Sequence, residues 1–219
     1  MRAPDPRSRL AIVVVVYLAF AILTHLAIAE GLSAPLGAVL SLIPLALFAL
    51  WAVRRSGRPA AAYLAAILVA LGTWLGWGNL QRHFPDVFFV EHAAGNLFLA
   101  FLFGRTLVAG REPLCTRFAR IFHEGLPPKV GEYTRRLTLA WTLFFVGMLA
   151  ASCVLYFGGF LAAWSLFASV ATPLLLATMF SVEYAIRSRV FPNIQRVGVL
   201  GGIRAFSRHI ASARTEAPR

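Results

Sequence analysis

The chain has 219 residues, of which 59% are hydrophobic and 14% charged, and its formal net charge is +12. A soluble domain carries about 45–50% apolar and about 25% charged residues, so this balance excludes a soluble globular protein and a disordered chain. The two cysteines, Cys115 and Cys153, are too few for a disulfide framework or a cysteine-built metal site.

Runs of about 20 apolar residues are long enough to cross lipid as helices. In chain order they fall at 10–29, 32–53, 60–80, 87–108, 137–157 and 161–186. Backbone in hydrocarbon must satisfy its own hydrogen bonds, and barrel-type alternation is absent, so each run is expected to be a helix. The predicted fold is all-α: a polytopic membrane protein of six transmembrane helices in one domain. Pro44 and Pro173 fall inside the second and sixth runs and are expected to kink them. A basic start, an apolar run and Ala27-Ile28-Ala29 also resemble a cleaved signal peptide, but the run is longer than such peptides use.

Charge is sorted by side. All the basic residues except Arg82 precede the first run, lie in the second-to-third link, lie at or between the ends of the fourth and fifth runs, or follow the sixth. The opposite flank holds Arg82 against Glu30, Asp86 and Glu91. Basic residues beside spans stay cytoplasmic, so the expected location is a bacterial inner membrane with both termini in the cytoplasm. Trp51, Trp141 and Tyr184 are expected near the inner interface, and Trp74, Trp77, Tyr156 and Trp164 near the outer one.

In the fourth-to-fifth link, residues 109–136, Leu114, Phe118, Ile121 and Phe122 share one helical face, while Arg117, Arg120 and Glu124 take the other. The tail, 187–219, repeats the theme with Leu200, Ile203, Phe206 and Ile210 beside Arg204 and Arg208. Both read as interfacial amphipathic helices, cationic side toward anionic headgroups. A one-signed surface also steers acidic partners. Arg111, Arg117, Arg120, Arg135 and Arg136 are the expected docking residues. Nucleic acid is not an expected partner, because the charge hugs the membrane and no nucleic-acid-binding motif occurs.

Ionisable groups inside apolar runs are candidate functional residues. His25 lies in the first run, and His92 and Asn96 are i, i+4 neighbours in the fourth. They are read as a candidate ligand or proton pathway, set against the plainer reading of interhelical hydrogen bonds. Two facing imidazoles could also take a haem iron or a metal, but no HExxH-type spacing is present. No metal site, cofactor or catalytic residue is expected. Gly72 and Gly76 permit close helix packing, and Glu183 and Arg187 are spaced to pair. Thr138 and Trp141 bring polar and aromatic groups together where the fifth run begins.

Residues 92–105, the stretch Arg111-Glu112-Pro113-Leu114-Cys115-Thr116-Arg117-Phe118-Ala119-Arg120, the string Tyr133-Thr134-Arg135-Arg136-Leu137-Thr138-Leu139-Ala140-Trp141 before Phe144-Phe145, and Glu183-Tyr184 to Arg187 carry a resemblance. They resemble an uncharacterised bacterial inner-membrane protein family, often encoded beside acyl carrier proteins and acyl-activating enzymes in clusters like those for aryl polyene lipids. The resemblance covers about the second half of the chain and implies a place in envelope lipid or polyene biosynthesis, without implying a reaction. The expected function is an accessory or scaffold protein docking acidic cytoplasmic partners such as acyl carrier protein. The alternatives are a transporter or flippase of an amphipathic product, with His25, His92 and Asn96 in its outer vestibule, and a small haem, redox or acyl-transfer enzyme.

Overall fold

The computed structural model describes residues 6–31, 33–56, 59–122 and 127–191. All secondary structure among these residues is helical: α1 Pro6–Ala29, α2 Ala34–Ser56, α3 Pro59–Leu75, α4 Trp77–Gly104, α5 Leu114–Phe122, α6 Pro128–Phe157, α7 Leu161–Leu166, a π turn Phe167–Ala171, and α8 Thr172–Val190. Proline at the first helical position, as in α1, α3 and α6, costs no hydrogen bond because that N–H has no intrahelical partner. Ser33 accepts the Leu36 N–H and so caps α2. At the end of α6, Gly159 adopts φ +81°, with Phe160 N–H on the Leu155 carbonyl and Gly159 N–H on that of Tyr156. This Schellman arrangement closes the helix in the left-handed conformation that glycine adopts without strain.

Among the described residues, five stretches are long and apolar enough to cross a membrane: Ile12–Ala29, Ala34–Arg55, Trp77–Gly104, Pro128–Phe157 and Leu161–Val190. The expected third span is not one helix: α3 stops at Leu75, and Trp77–Leu80 opens α4. The apolar run continues through Gly76, but the backbone breaks there. α4 therefore begins ten residues before its apolar run, absorbing what reads as a loop around Arg82 and Asp86. His83, at φ −120° and ψ 19°, leaves helical geometry two residues before Pro85, whose ring would press on the preceding turn. α6 likewise begins at Pro128 rather than at 137, carried by an exposed Glu132–Arg136 pair at 2.7 Å. The expected tail helix lies outside the described residues, as do Glu124 and the other residues of 123–126.

Burial is inverted relative to a soluble protein. Val13, Leu47, Phe48 and Phe98 are each more than 60% exposed, while Thr24, Ser41, Asn96, Thr138, Ser152 and Ser165 are buried. An apolar exterior around a core of small and hydroxyl side chains is the pattern of helices packed in lipid, and the apolar helices are consistent with a membrane-embedded protein.

The packing forms two compact units. One draws on Met1–Ala94 and Ala150–Pro173, the other on Gly95–Leu149 and Leu174–Arg219. In the first, Phe84, Phe88 and Trp164 pack with Ala27, Ala38 and Leu40. In the second, Trp141 and Phe145 pack with Ala100, and Phe103, Leu137 and Met179 lie against them. Trp164 and Trp141, expected as interfacial anchors, are thus core residues at 1% and 5% exposure. Their size makes them fillers between helices: Trp141 meets the rings of Phe103, Phe144, Phe145 and Phe180.

Candidate functional site

In the first unit, polar side chains from four helices converge on α7 and the π turn. Trp164 donates its Nε1–H to Ser152 Oγ at 2.9 Å. Ser152 Oγ lies 3.1 Å from His92 Nδ1, and His92 Nε2 lies 3.1 Å from Thr172 Oγ1. Thr172 in turn donates to the Phe167 carbonyl at 2.9 Å. Because Thr172 uses its proton on that carbonyl, it accepts from His92, so Nε2 carries the hydrogen. Nδ1 is then free to accept the Ser152 hydroxyl proton, which Trp164, a donor only, cannot take. The hydrogen-bond pattern assigns His92 as the neutral Nε2–H tautomer.

His25 meets the same segment by a different hydroxyl. Its Nδ1 lies 2.6 Å from Ser165 Oγ, and Ser165 donates to the Ala162 carbonyl, so His25 is the donor. The two histidines therefore brace one irregular segment from α1 and from α4, through Ser165 and Thr172. Asn96 is buried one turn further along α4 and belongs to the second unit. A metal or haem iron at His92 would have to displace Ser152 or Thr172. Among the described residues no group of three His, Cys, Asp or Glu side chains is placed to hold a metal ion. At the start of α4, Asp86 accepts a short hydrogen bond from the Tyr156 hydroxyl, and Tyr156 stacks on Phe89 at 4.2 Å between centroids.

In the second unit, α5 is held by threonines. The Leu114 N–H donates to Thr106 Oγ1 at 3.0 Å and the Cys115 N–H to Thr138 Oγ1 at 3.2 Å. Thr134 spends its proton on the carbonyls of Val130 and Gly131, so at 2.7 Å it accepts from Thr116. Side-chain oxygens from outside α5 thus satisfy two of the N–H groups that a helix start leaves open. Thr116 and Thr138 are buried, whereas Arg117 and Arg120 are exposed. Phe118, on the apolar face, is 41% exposed, and α5 buries Thr116.

The five arginines differ in setting. Arg120 pairs with Glu112 at 2.7 Å, Arg136 pairs with Glu132, and Arg135 donates to the Leu107 carbonyl at 3.1 Å. Arg111 reaches the Arg105 carbonyl only at 3.5 Å. Arg117 makes no ion pair among the described residues. Glu183 and Arg187 pair at 3.0 Å, as their spacing implies. Sequence reasoning missed Ser152, Ser165 and Thr172, the hydrogen bond of Trp164, and the clamping roles of Thr106 and Thr134. The one sequence signal near the first group was Pro173.

No protein-family model, curated protein or solved structure matches the chain.

Proposed function

We propose that the chain is an accessory protein of a bacterial inner membrane that docks an acidic cytoplasmic partner of envelope-lipid assembly, such as an acyl carrier protein, on the arginine face around α5. Both termini lie in the cytoplasm in this reading, which the one-sided distribution of arginine supports. The observation that carries it is the threonine clamp. A nine-residue helix is too short to persist alone in water, yet Thr106, Thr134 and Thr138 fix it with Arg117 and Arg120 outward. Cations on a fixed frame lose less freedom on binding than cations on a mobile loop. Arg111 and Arg117, which carry no carboxylate partner among the described residues, supply the attraction, and exposed Phe118 offers an apolar contact beside them. Anionic headgroups serve the same flank where it meets the bilayer.

The test is the full chain in nanodiscs of neutral lipid, titrated with an acylated carrier protein at rising ionic strength. Binding that weakens steeply between low and physiological salt, and that falls when Arg111 and Arg117 are replaced by Gln, is expected. Absence of binding at low salt, or affinity indifferent to salt, overturns the reading.

A further inference from the structure

The π turn has a cause in the sequence. Pro173 has no N–H, and in a regular α-helix that N–H would donate to the carbonyl of Ser169, four residues earlier; the proline ring would also press on that carbonyl. The chain avoids the clash by widening: the Thr172 N–H donates to Phe167, five residues back. The Ser169 carbonyl is left without its helical donor, and the Tyr17 hydroxyl from α1 occupies it at 2.6 Å. A side chain 152 residues away thus supplies the proton that Pro173 lacks. Two more contacts hold the same turn: the Thr172 hydroxyl on Phe167, and His92 on Thr172.

We propose that Phe167–Ala171 is a two-state hinge, latched in its wide form by the Tyr17 hydroxyl on the Ser169 carbonyl and caught a second time by His92 on Thr172. Single π turns inside α-helices recur at functional sites, and a turn held by side chains rather than by its own ladder can be released by taking those side chains away. The second state is the ordinary α register, kinked at the proline. Moving one residue in register rotates the following positions by about 100°, which takes Thr172 off His92 and leaves the His92 Nε2–H without that acceptor. In that state the Thr172 N–H moves from the Phe167 carbonyl to that of Ala168, four residues back, so the backbone bond is exchanged while the contact with His92 is given up.

The experiment is a double-mutant cycle on the full chain, read by amide hydrogen exchange at residues 167–172. Tyr17→Phe removes only the latch hydroxyl and is expected to speed exchange there by about threefold to tenfold, the range of one net hydrogen bond, with α2 unchanged. Pro173→Ala restores the missing N–H and closes the turn to the α register; on that background Tyr17→Phe is expected to change exchange by less than about twofold. An equal effect of Tyr17→Phe on both backgrounds makes Tyr17 a packing residue and overturns the proposal, as does no effect on either. Pro173→Ser also restores the N–H and replaces Pro173→Ala if that variant does not accumulate. The His92 tautomer, read from its ring 15N shifts, gives a second arm. Nε2–H is expected in the native chain and a mixture in Pro173→Ala; an unchanged tautomer removes the second catch.

Discussion

The ring of Phe84 occupies the space into which Gly37 would project a side chain. A methyl group on Gly37 would stand 2.5 Å from Phe84 Cε2 and 2.7 Å from Cζ. The kink at His83, forced by Pro85, delivers Phe84 to that spot, and the absence of a Cβ lets α2 receive it. Gly37→Ala is therefore expected to destabilise the first unit by about 1–3 kcal/mol, the usual range for overpacking a filled core. Thermal unfolding in detergent measures this. Combining it with Phe84→Leu should return part of the loss, because the smaller side chain vacates the contact. A melting temperature unmoved by Gly37→Ala would show that the ring swings aside freely.

Ser152 joins Trp164 to His92, so losing its hydroxyl takes a hydrogen-bond partner from each of them. Ser152→Ala leaves the Trp164 Nε1–H without its acceptor and His92 Nδ1 without its donor. The expected loss is about 1–3 kcal/mol, that of a buried polar group left unsatisfied. The His92 15N spectrum should also lose its preference for the Nε2–H tautomer. Ser152→Thr keeps the hydroxyl and should retain the tautomer even where the extra methyl lowers stability.

Hydrophobic periodicity made most of the helices legible, because a run of about 20 apolar residues has one solution in lipid. It failed where polarity and backbone disagree. Trp77 to Asp86 carries enough polar residues to read as a loop, yet α4 passes through it; Gly76 sits in an unbroken apolar run, yet ends α3. Trp141 and Trp164 match an interfacial belt by position, but their depth of packing depends on neighbours that composition does not reveal. The hydroxyl partners were invisible for a related reason. His92 and Ser152 are separated by 60 residues and Tyr17 and Ser169 by 152, and no local spacing rule links them. His25, His92 and Asn96 were legible only as unusual residues for their setting.

Thr138 holds the start of α5 and is itself fully buried. Its proton goes to the Thr134 carbonyl at 2.8 Å, while its oxygen accepts the Cys115 N–H. Thr138→Val preserves shape and removes both bonds. The loss of a cap-like acceptor is expected to cost about 0.5–2 kcal/mol, and the loss should be local. Amide exchange at Leu114, Cys115 and Thr116 should rise while that of α2 stays constant. If the docking reading holds, the same variant should weaken carrier binding even though every arginine is retained. Exchange unchanged at these three amides would mean that α5 is held by other contacts.

Cys115 reports on the same clamp by its chemistry. Burial pushes its thiol above the ordinary cysteine range; the Thr138 hydroxyl opposes the shift and the Glu183 carboxylate adds to it. The thiolate is the reactive form, so at pH 8 alkylation of Cys115 should be slower than that of a free thiol, and its rate should keep climbing above the pH where a free thiol levels off. Thr138→Val removes the opposing influence of the hydroxyl and should move that rise to still higher pH, unless α5 detaches, in which case reaction quickens at every pH. The same shift carries a sign for stability. The folded chain holds the proton more tightly than the unfolded chain, so this contribution is complete below the ordinary thiol range and is lost as pH rises through it toward the folded value. Replacing Cys115 by Ala should flatten that part of the alkaline destabilisation curve. A Cys115 that alkylates as fast as a free thiol at pH 8 in the native chain would show that its thiol is not buried.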